Sequence, residues 1–511
     1  MKANSVSANA ISSVAQVAIG SASLFILYRY LLQVIGPEKL GIWSLVLAAS
    51  SAVQLANLGF TASISKFVAA YEAVRDETSI VAAVDTAVVT LAIFGALFVA
   101  LAYVGGRYYL AFSLHSVQMQ SALQILPWAL IAFWMYLIGS VYQSALFGCR
   151  LIVQRNYVLA AESVTHLVLC GILAPKYGLM GLAAARLTQN LITLLAMVVL
   201  MQLHIPTLSA LPTKWSTRIF KEMFGYAASF QVLSLLAMIA DPITKGLLAR
   251  FGTTSGVGYY DMANRLVMQL RAFIINAYQV LIPVFARLQQ TDPGQIRTVY
   301  LKSNAMVIFV ALPAFLLLML ATPLISDLWI GRPENMFIVS VLTLSVGWLF
   351  NSLSIPAYFA EIGTGKVATV LILQVFSLIG NLGFGVLLGG WLGMQGVVLA
   401  TAGLLAFGGI ILNAIYFHAN GIPYSFIVPQ EIRLQATATL LAAIAGVVIY
   451  RLTLGVGPSL VEAGRFQVPQ LRTIASLGML LAYSAIVIVV MMRHAFGRLL
   501  AARMLQALPG R

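Results

Sequence analysis

The 511-residue chain contains few charged residues and few cysteines. Only 9% of its residues are charged and only Cys149 and Cys170 are cysteines, whereas 61% are hydrophobic. Two cysteines provide neither a disulfide framework nor a metal cluster, and we expect both to be inert. With so little charge, the chain cannot enclose its apolar surface within one globular core, which excludes an ordinary soluble protein.

The sequence also lacks the motifs of common enzymes. It has no histidine pair with the spacing of zinc proteases and no GxSxG sequence. Gly363–Lys366 (GTGK) resembles part of a phosphate-binding loop, but Ala360 stands at the first glycine position and Val367 follows the lysine. No polar stretch is long enough for a catalytic site, so we predict that the protein is not an enzyme and needs no cofactor.

Apolar stretches of about 20 residues, each long enough to cross a bilayer, recur along the whole chain. We count fourteen of them, at residues 9–34, 41–70, 81–104, 121–147, 157–174, 179–203, 224–249, 258–286, 304–325, 337–359, 368–388, 396–417, 434–454 and 474–492. The net charge of +15 comes largely from Lys and Arg in short loops. Such loop cations indicate topology and attraction to anionic lipid headgroups, so we predict membrane lipids and no nucleic acid as partners.

An internal repeat organises these stretches. Arg29–Gly36 (RYLLQVIG) reappears as Lys245–Gly252 (KGLLARFG). Gly148, Gly178 and Gly181 have counterparts at nearly the same offset, at Gly363, Gly393 and Gly396. This offset places six spans in each copy, and an even number makes the two copies parallel.

The predicted fold class is an all-α polytopic membrane protein with about 14 transmembrane helices, comprising two parallel-repeat six-helix lobes and two C-terminal helices. We divide the chain into an N-terminal lobe (1–203), a cytoplasmic connection (204–223), a C-terminal lobe (224–420), and two extra helices with a cytoplasmic tail (421–511). With both termini inside, seventeen Lys and Arg lie on the cytoplasmic side and ten on the other. This bias favours cytoplasmic termini.

Several segments resemble one transporter family. Val34–Ser44 (VIGPEKLGIWS) and Gln54–Ala69 (QLANLGFTASISKFVA) are similar to the first hairpin of the polysaccharide transporter family. Tyr177–Ala185 (YGLMGLAAA) resembles its turn between helices five and six, and Gly258–Arg287 resembles its eighth helix. The family includes Wzx-type flippases of lipid-linked oligosaccharides and belongs to the superfamily that also holds multidrug and toxic compound extruders and lipid II flippases.

The resemblance extends over roughly residues 5–420. It implies two six-helix lobes around a central cavity, lined mainly by helices one, two, seven and eight, that opens alternately to each side. Charged side chains cost at least about 2.5 kcal/mol at the centre of a membrane helix, so intramembrane charges are the candidates for the cavity wall.

Helices seven and eight carry most of these charges. Asp241 with Lys245, and Asp261 with Arg265, are spaced i, i+4, so each pair can form an ion pair on one helix face. Arg271 has no acid at i±3 or i±4 and lies near mid-membrane. Its planar guanidinium suits phosphate oxygens, although a lipid-edge or inter-helix role bonded to backbone carbonyls is the alternative.

Two other places supply candidates. Arg29 is the repeat counterpart of Lys245, so the two cations could face one cavity, or Arg29 could extend to the outer headgroups. Arg186 and Asn190 share one face of helix six and could reach the cavity or bond a neighbouring helix.

We therefore predict a bacterial inner-membrane flippase that carries a polyprenyl-diphosphate-linked oligosaccharide unit for surface or exopolysaccharide biosynthesis. Its predicted partners are this lipid-linked substrate, membrane lipids, and the polysaccharide polymerase and export machinery. The alternatives are a multidrug or toxin exporter of the same superfamily, and a non-transporting membrane scaffold for polysaccharide assembly.

Overall fold

The computed structural model describes the backbone of residues 3–498 except residues 58, 210, 213, 463–467 and 495. Side chains are described over the same range except residues 3–7, 10, 225–234, 237, 454–462 and 468–469. The predicted cytoplasmic tail beyond residue 498, and Thr213 in the predicted inter-lobe connection, therefore lie outside the described residues.

The described part of the chain forms helices and no β-strand. Its α-helices, together with one 3₁₀ helix at Ser51–Asn57 and another at Tyr424–Phe426, follow one another in a simple series. They are α1 (Ala3–Val34), α2 (Gly36–Ser50), α3 (Phe60–Ala73), α4 (Glu77–Ser113), α5 (Ser116–Gly148), α6 (Ile152–His204), α7 (Thr217–Arg250), α8 (Thr254–Tyr278), α9 (Leu281–Thr291), α10 (Gly294–Trp329), α11 (Asn335–Leu353), α12 (Ile355–Gly363), α13 (Val367–Leu392), α14 (Met394–Ala419), α15 (Gln430–Glu462) and α16 (Val468–Arg493).

The predicted class, an all-α polytopic membrane protein, is confirmed. Among the described residues, twelve helical segments are long and apolar enough to cross a bilayer. One of them is the whole of α6, which contains both the fifth and the sixth predicted spans. The seventh predicted span coincides with α7, which is not among the twelve. The total of fourteen crossings stays a prediction.

Three spans that we predicted as continuous helices are interrupted in the structure. The second span becomes α2, a 3₁₀ helix and α3, with Gly59 at φ 76° before α3. The eighth span becomes α8 and α9, near Pro283, and the tenth becomes α11 and α12, with Pro356 in the first turn of α12. Proline lacks the backbone donor that a continuous helix needs, and apolar periodicity alone does not reveal such breaks.

The predicted repeat is visible in the helix turns. Gly178, inside α6, has φ 57° and ψ −127°, and Gly393, between α13 and α14, has φ 61° and ψ −143°. This backbone region is essentially restricted to glycine. Two glycines related by the repeat therefore make the same sharp turn, each joining two antiparallel helices.

A second glycine after each turn allows the two helices to touch. A Cβ on Gly181 would collide with the carbonyl oxygen of Leu173, and a Cβ on Gly396 would collide with that of Leu388. Gly396 and Leu388 are the repeat counterparts of Gly181 and Leu173. The repeat thus extends to the backbone contacts inside each hairpin.

The ends of the fourth and tenth predicted spans also match. Arg150 (φ 62°) and Gly365 (φ 79°) follow the helix ends, and in both cases the next amide donates to the carbonyl five residues earlier. This is the Schellman pattern, in which a left-handed residue ends a helix. Arg150 adopts a conformation that usually favours glycine.

The chain divides into two compact units, Met1–Tyr259 and Tyr260–Arg511. In the first unit, α5 packs against α3, α4 and α6, while α1 packs on α6 and α7 packs on α4. In the second unit, α14 packs on α11 and α13, and α15 and α16 pack on α10. The predicted lobe boundaries stay a prediction.

The two C-terminal helices that we placed outside the repeat are anchored to α10. The Tyr483 hydroxyl donates to the carbonyl of Pro313 at 2.9 Å, and Gln435 donates to the carbonyl of Phe309. Leu320, Ala442, Met479 and Tyr483 belong to one buried apolar cluster at this interface.

Candidate functional site

The two predicted ion pairs on helices seven and eight are present. In the first unit, Lys245 Nζ lies 2.9 Å from Asp241 Oδ2, with the lysine buried and the aspartate 41% exposed. In the second unit, Arg265 Nε donates to Asp261 Oδ2 at 2.9 Å, with the aspartate buried and the arginine 33% exposed. Asp241 and Arg265 are therefore the members of these pairs that a ligand can reach more easily.

Within the part of the chain that the structure describes, the contacts of Arg271 in the second unit are with side chains. Its guanidinium carbon lies 4.2 Å from the centroid of the Trp348 ring, and Nη2 is 3.5 Å from Asn351 Oδ1. Its Nε is buried without a hydrogen-bond partner, and no acidic side chain of the described residues forms an ion pair with it. One face of the guanidinium is thus fixed by an aromatic ring while its donors are incompletely used.

The remaining predicted residues differ in their surroundings. Asn190 is buried and donates to the carbonyl of Ala132 at 2.6 Å, so it bonds the neighbouring helix α5. Arg186 donates to Gln189 Oε1 at 3.0 Å on its own helix. Arg29 is exposed on α1, whereas its repeat counterpart Lys245 is buried and paired. The two repeat mates are therefore not equivalent in the first unit.

Sequence reasoning missed a polar cavity of about 320 Å³ inside the first unit. Its wall comes from the 3₁₀ helix, α3, α5 and the start of α6. Eleven described residues line it, and most of them carry a hydroxyl or amide side chain. The others are two aromatic residues, one leucine and one arginine, and none of the eleven has a carboxylate: Gln54, Asn57, Thr61, Ser65, Tyr136, Leu137, Ser140, Gln143, Ser144, Phe147 and Arg155.

The arginine of this cavity, Arg155, has an unused hydrogen-bond donor. Arg155 lies with its guanidinium carbon 5.7 Å from the centroid of the Phe147 ring. Its Nε is buried without a hydrogen-bond partner among the described residues. The arrangement resembles that of Arg271 in the second unit, where an arginine also lies over an aromatic ring with Nε unpaired.

A periodic signal in the sequence could have revealed the cavity. Polar residues recur every three or four positions within otherwise apolar spans, from Gln54 through Thr61 to Ser65, and from Tyr136 to Ser144. This period places each set on one helix face. The candidates predicted from the sequence were single charged or polar residues and did not include these uncharged polar stripes or Arg155.

The fold is shared with solved membrane transporters. An inward-facing structure of a multidrug resistance MATE family transporter of the MOP superfamily matches with TM-score 0.69 and 16% identity, over 79% of this chain and 94% of that one. The lipid II flippase MurJ in an inward closed conformation matches with TM-score 0.68 and 12% identity, over 94% and 98%.

A third similar structure is a MOP superfamily transporter from Pyrococcus furiosus, with TM-score 0.58 and 15% identity, over 81% of this chain and 95% of that one. That protein is described as having a binding pocket of reverse polarity, which suggests a different function for it. No curated protein matches this chain by sequence.

The helical bundle and its internal repeat define a multi-pass membrane protein with the fold of MOP superfamily transporters. Within that class, the family model described as polysaccharide biosynthesis protein matches residues 31–333. The chain belongs to this family.

Proposed function

We propose that the protein is a flippase that moves a polyprenyl-diphosphate-linked oligosaccharide unit across the bacterial inner membrane for surface or exopolysaccharide assembly. The observation that carries this proposal is the cavity of the first unit, which combines many uncharged hydrogen-bonding side chains with one arginine and no carboxylate among its described lining residues. Family membership and the shared fold with a lipid II flippase support it.

The cavity wall suits a sugar with an anionic substituent. Hydroxyl and amide side chains such as Ser140 and Gln143 both donate and accept, as sugar hydroxyls do. Tyr136 and Phe147 offer ring faces, and Arg155 offers a planar donor fork that matches phosphate or carboxylate oxygens. A volume of about 320 Å³ is at the lower end for small-molecule sites, so it would hold part of a headgroup.

The same chemistry disfavours export of cationic drugs. The guanidinium of Arg155 repels a cation, and none of the described lining residues is an acid that would attract one. In the second unit, the incompletely bonded charge near Trp348 is again an arginine. We therefore place the protein with carriers of anionic cargo.

In the proposed mechanism, arginines attract the diphosphate and any sugar acids while the lipid tail stays in the bilayer. Alternating access then releases the headgroup on the outer side. Both termini lie in the cytoplasm, and a polysaccharide polymerase with its export machinery would receive the product. No step requires a covalent change or a cofactor.

The proposal can be tested with Arg155→Ala in a strain that lacks the chromosomal copy of the gene. Losing a hydrogen bond to a charged group costs about 1.5–3 kcal/mol, so the apparent affinity for cargo should fall about 10- to 150-fold. We expect loss of surface polysaccharide and accumulation of the lipid-linked precursor at unchanged protein level.

Arg150→Gly is the matched control. Arg150 lies shortly before Arg155 in the chain, is exposed, and has φ 62°, so glycine should be tolerated there while one nearby cation is removed. Normal export by Arg155→Ala would refute the role of the cavity. The flippase proposal itself would be refuted if deletion of the gene abolished resistance to cationic drugs but left the amount of surface polysaccharide unchanged.

A further inference from the structure

Three potential metal ligands from distant parts of the chain meet in the first unit. They are the carboxylate of Glu72, the thiol of Cys149 and the imidazole of His204, and their ligand atoms all lie within 4.8 Å of one another. His204 Nε2 is 3.3 Å from Glu72 Oε1, which is within hydrogen-bonding distance. Sequence reasoning assigned no role to any of them.

Close helix packing brings these groups together. Glu72 lies in the last turn of α3, Cys149 directly follows α5, and His204 is the last residue of α6. A Cβ on Gly148 would lie 2.9 Å from the Val68 Cβ and 3.0 Å from the Ser65 carbonyl oxygen, so the end of α5 is pressed against α3. This contact sets Cys149 beside the end of α3.

The ligand types and spacings suit a zinc ion. Zn²⁺ takes tetrahedral sets of thiolate, imidazole and carboxylate ligands, with bonds of about 2.0–2.3 Å, which place neighbouring ligand atoms about 3.3–3.8 Å apart. The Glu72–His204 distance of 3.3 Å already matches this geometry. The sulfur of Cys149 would need to approach by at most about 1.5 Å, which a side-chain rotation can provide.

The exposure of the three side chains also suits a zinc site. The Glu72 and His204 side chains are each 31% exposed, which leaves an entry path and room for water as a fourth ligand, whereas Cys149 is buried. The second repeat does not reproduce the set, because Thr364 and Ala419 stand at the positions that correspond to Cys149 and His204. The repeated fold therefore does not itself require these ligands.

We propose that Glu72, Cys149 and His204 bind one Zn²⁺ ion that clamps together the ends of α3, α5 and α6. In the predicted topology these ends face the cytoplasm, where the thiol stays reduced and available as a ligand. Binding displaces two protons from the ligand atoms, that of the Cys149 thiol and that between His204 Nε2 and Glu72, and the ion replaces the Glu72–His204 hydrogen bond with bonds to the ends of three helices.

The test is titration of the purified, tag-free protein in detergent with Co²⁺, followed by displacement with Zn²⁺. We expect one Co²⁺ per chain, with the thiolate-to-cobalt charge-transfer band in the near ultraviolet and strong visible bands of a tetrahedral site. Zn²⁺ should abolish both and raise the melting temperature of the wild-type protein.

Cys149→Ser should remove the charge-transfer band and lower affinity at least about tenfold, the lower limit for losing even an indirect metal partner. Cys170→Ser is the matched control, since Cys170 is also buried but lies outside the cluster, and it should bind as the wild type does. If Cys149→Ser fails to fold, Glu72→Gln and His204→Gln serve in its place, each with a comparable loss of affinity.

The proposal would be overturned if the wild-type protein showed no charge-transfer band, or if the wild type and the cluster variants bound the metal equally well. The three residues would then be a Glu–His hydrogen bond beside a buried thiol. None of these readouts involves transport. The metal site and the proposed flippase function can therefore fail independently.

Discussion

Arg271 offers the sharpest functional test in the second unit. Its guanidinium lies 4.2 Å from the Trp348 ring centroid, its contact with Asn351 is at the 3.5 Å limit of a hydrogen bond, and its Nε has no partner in the described part of the chain. A cationic group with unused donors inside a membrane helix is unfavourable unless a ligand completes its bonding. We predict that an anionic headgroup does so.

The contacts of Arg271 set the expected loss of affinity for each substitution. Removing a hydrogen bond to a charged group costs about 1.5–3 kcal/mol, so Arg271→Ala should weaken the apparent affinity for cargo about 10- to 150-fold. Arg271→Lys should recover only part, because a point charge cannot reproduce the planar fork. Trp348→Leu removes a cation–π contact of about 0.5–2 kcal/mol, which corresponds to a loss of about 2- to 30-fold.

The assay measures surface polysaccharide and accumulated precursor against the amount of inserted protein. Arg271→Ala should not lower the protein level, since it removes a charge that disfavours membrane insertion. Arg332→Ala is the control: Arg332 is an exposed arginine of the same unit whose ion pair with Glu334 is at the surface and contributes little. Normal export by Arg271→Ala, or a loss of export that only follows a loss of protein, would refute the reasoning.

Other contacts lead to four more expected outcomes. Gly181→Ala and Gly396→Ala should strongly lower the melting temperature, because each new Cβ would collide with a backbone carbonyl. The controls Gly171→Ala and Gly390→Ala, where nothing lies within 4 Å of the new Cβ, should leave the melting temperature unchanged or slightly higher, and equal effects of all four would contradict the packing argument. Asp241→Asn should destabilise the protein more than Asp241→Asn combined with Lys245→Met, because the single change leaves a buried lysine without its aspartate, and additive melting shifts would argue against this ion pair. Hydrogen bonds from Ser79 and Thr78 lower the pKa of Asp76 from 3.8 to about 2, so the stabilisation by this helix cap should be complete above pH 3.8 and disappear as the pH falls through 2. The difference in melting temperature between the wild type and Asp76→Ala should therefore shrink over that range, and a difference that grew on acidification would contradict the prediction. In cells, single cysteines at Lys39 and Gln395 should react with an impermeant external thiol reagent and one at Lys214 should not, while labelling at Lys214 would reverse the predicted orientation.

Features that depend on the order and spacing of residues along the chain could be predicted from the sequence. The apolar spans indicated the class of protein, and the nearly constant offset of the repeat related Gly178 to Gly393, where the structure has matching turns. The pair Asp261 and Arg265 followed from helical spacing alone, because residues four apart on a helix always lie on the same face.

The long-range contacts were decided only by the tertiary structure. Trp348 on α11 meets Arg271 on α8, and the cluster of Glu72, Cys149 and His204 joins the ends of three different helices. The polar cavity likewise needs the faces of α3 and α5 to meet the start of α6. In a membrane helix, the lipid-facing side and the packed side are both apolar, so hydrophobic periodicity does not fix how each helix is rotated. Which polar side chains meet therefore depends on close packing at small residues such as Gly148, and a single sequence does not specify that geometry.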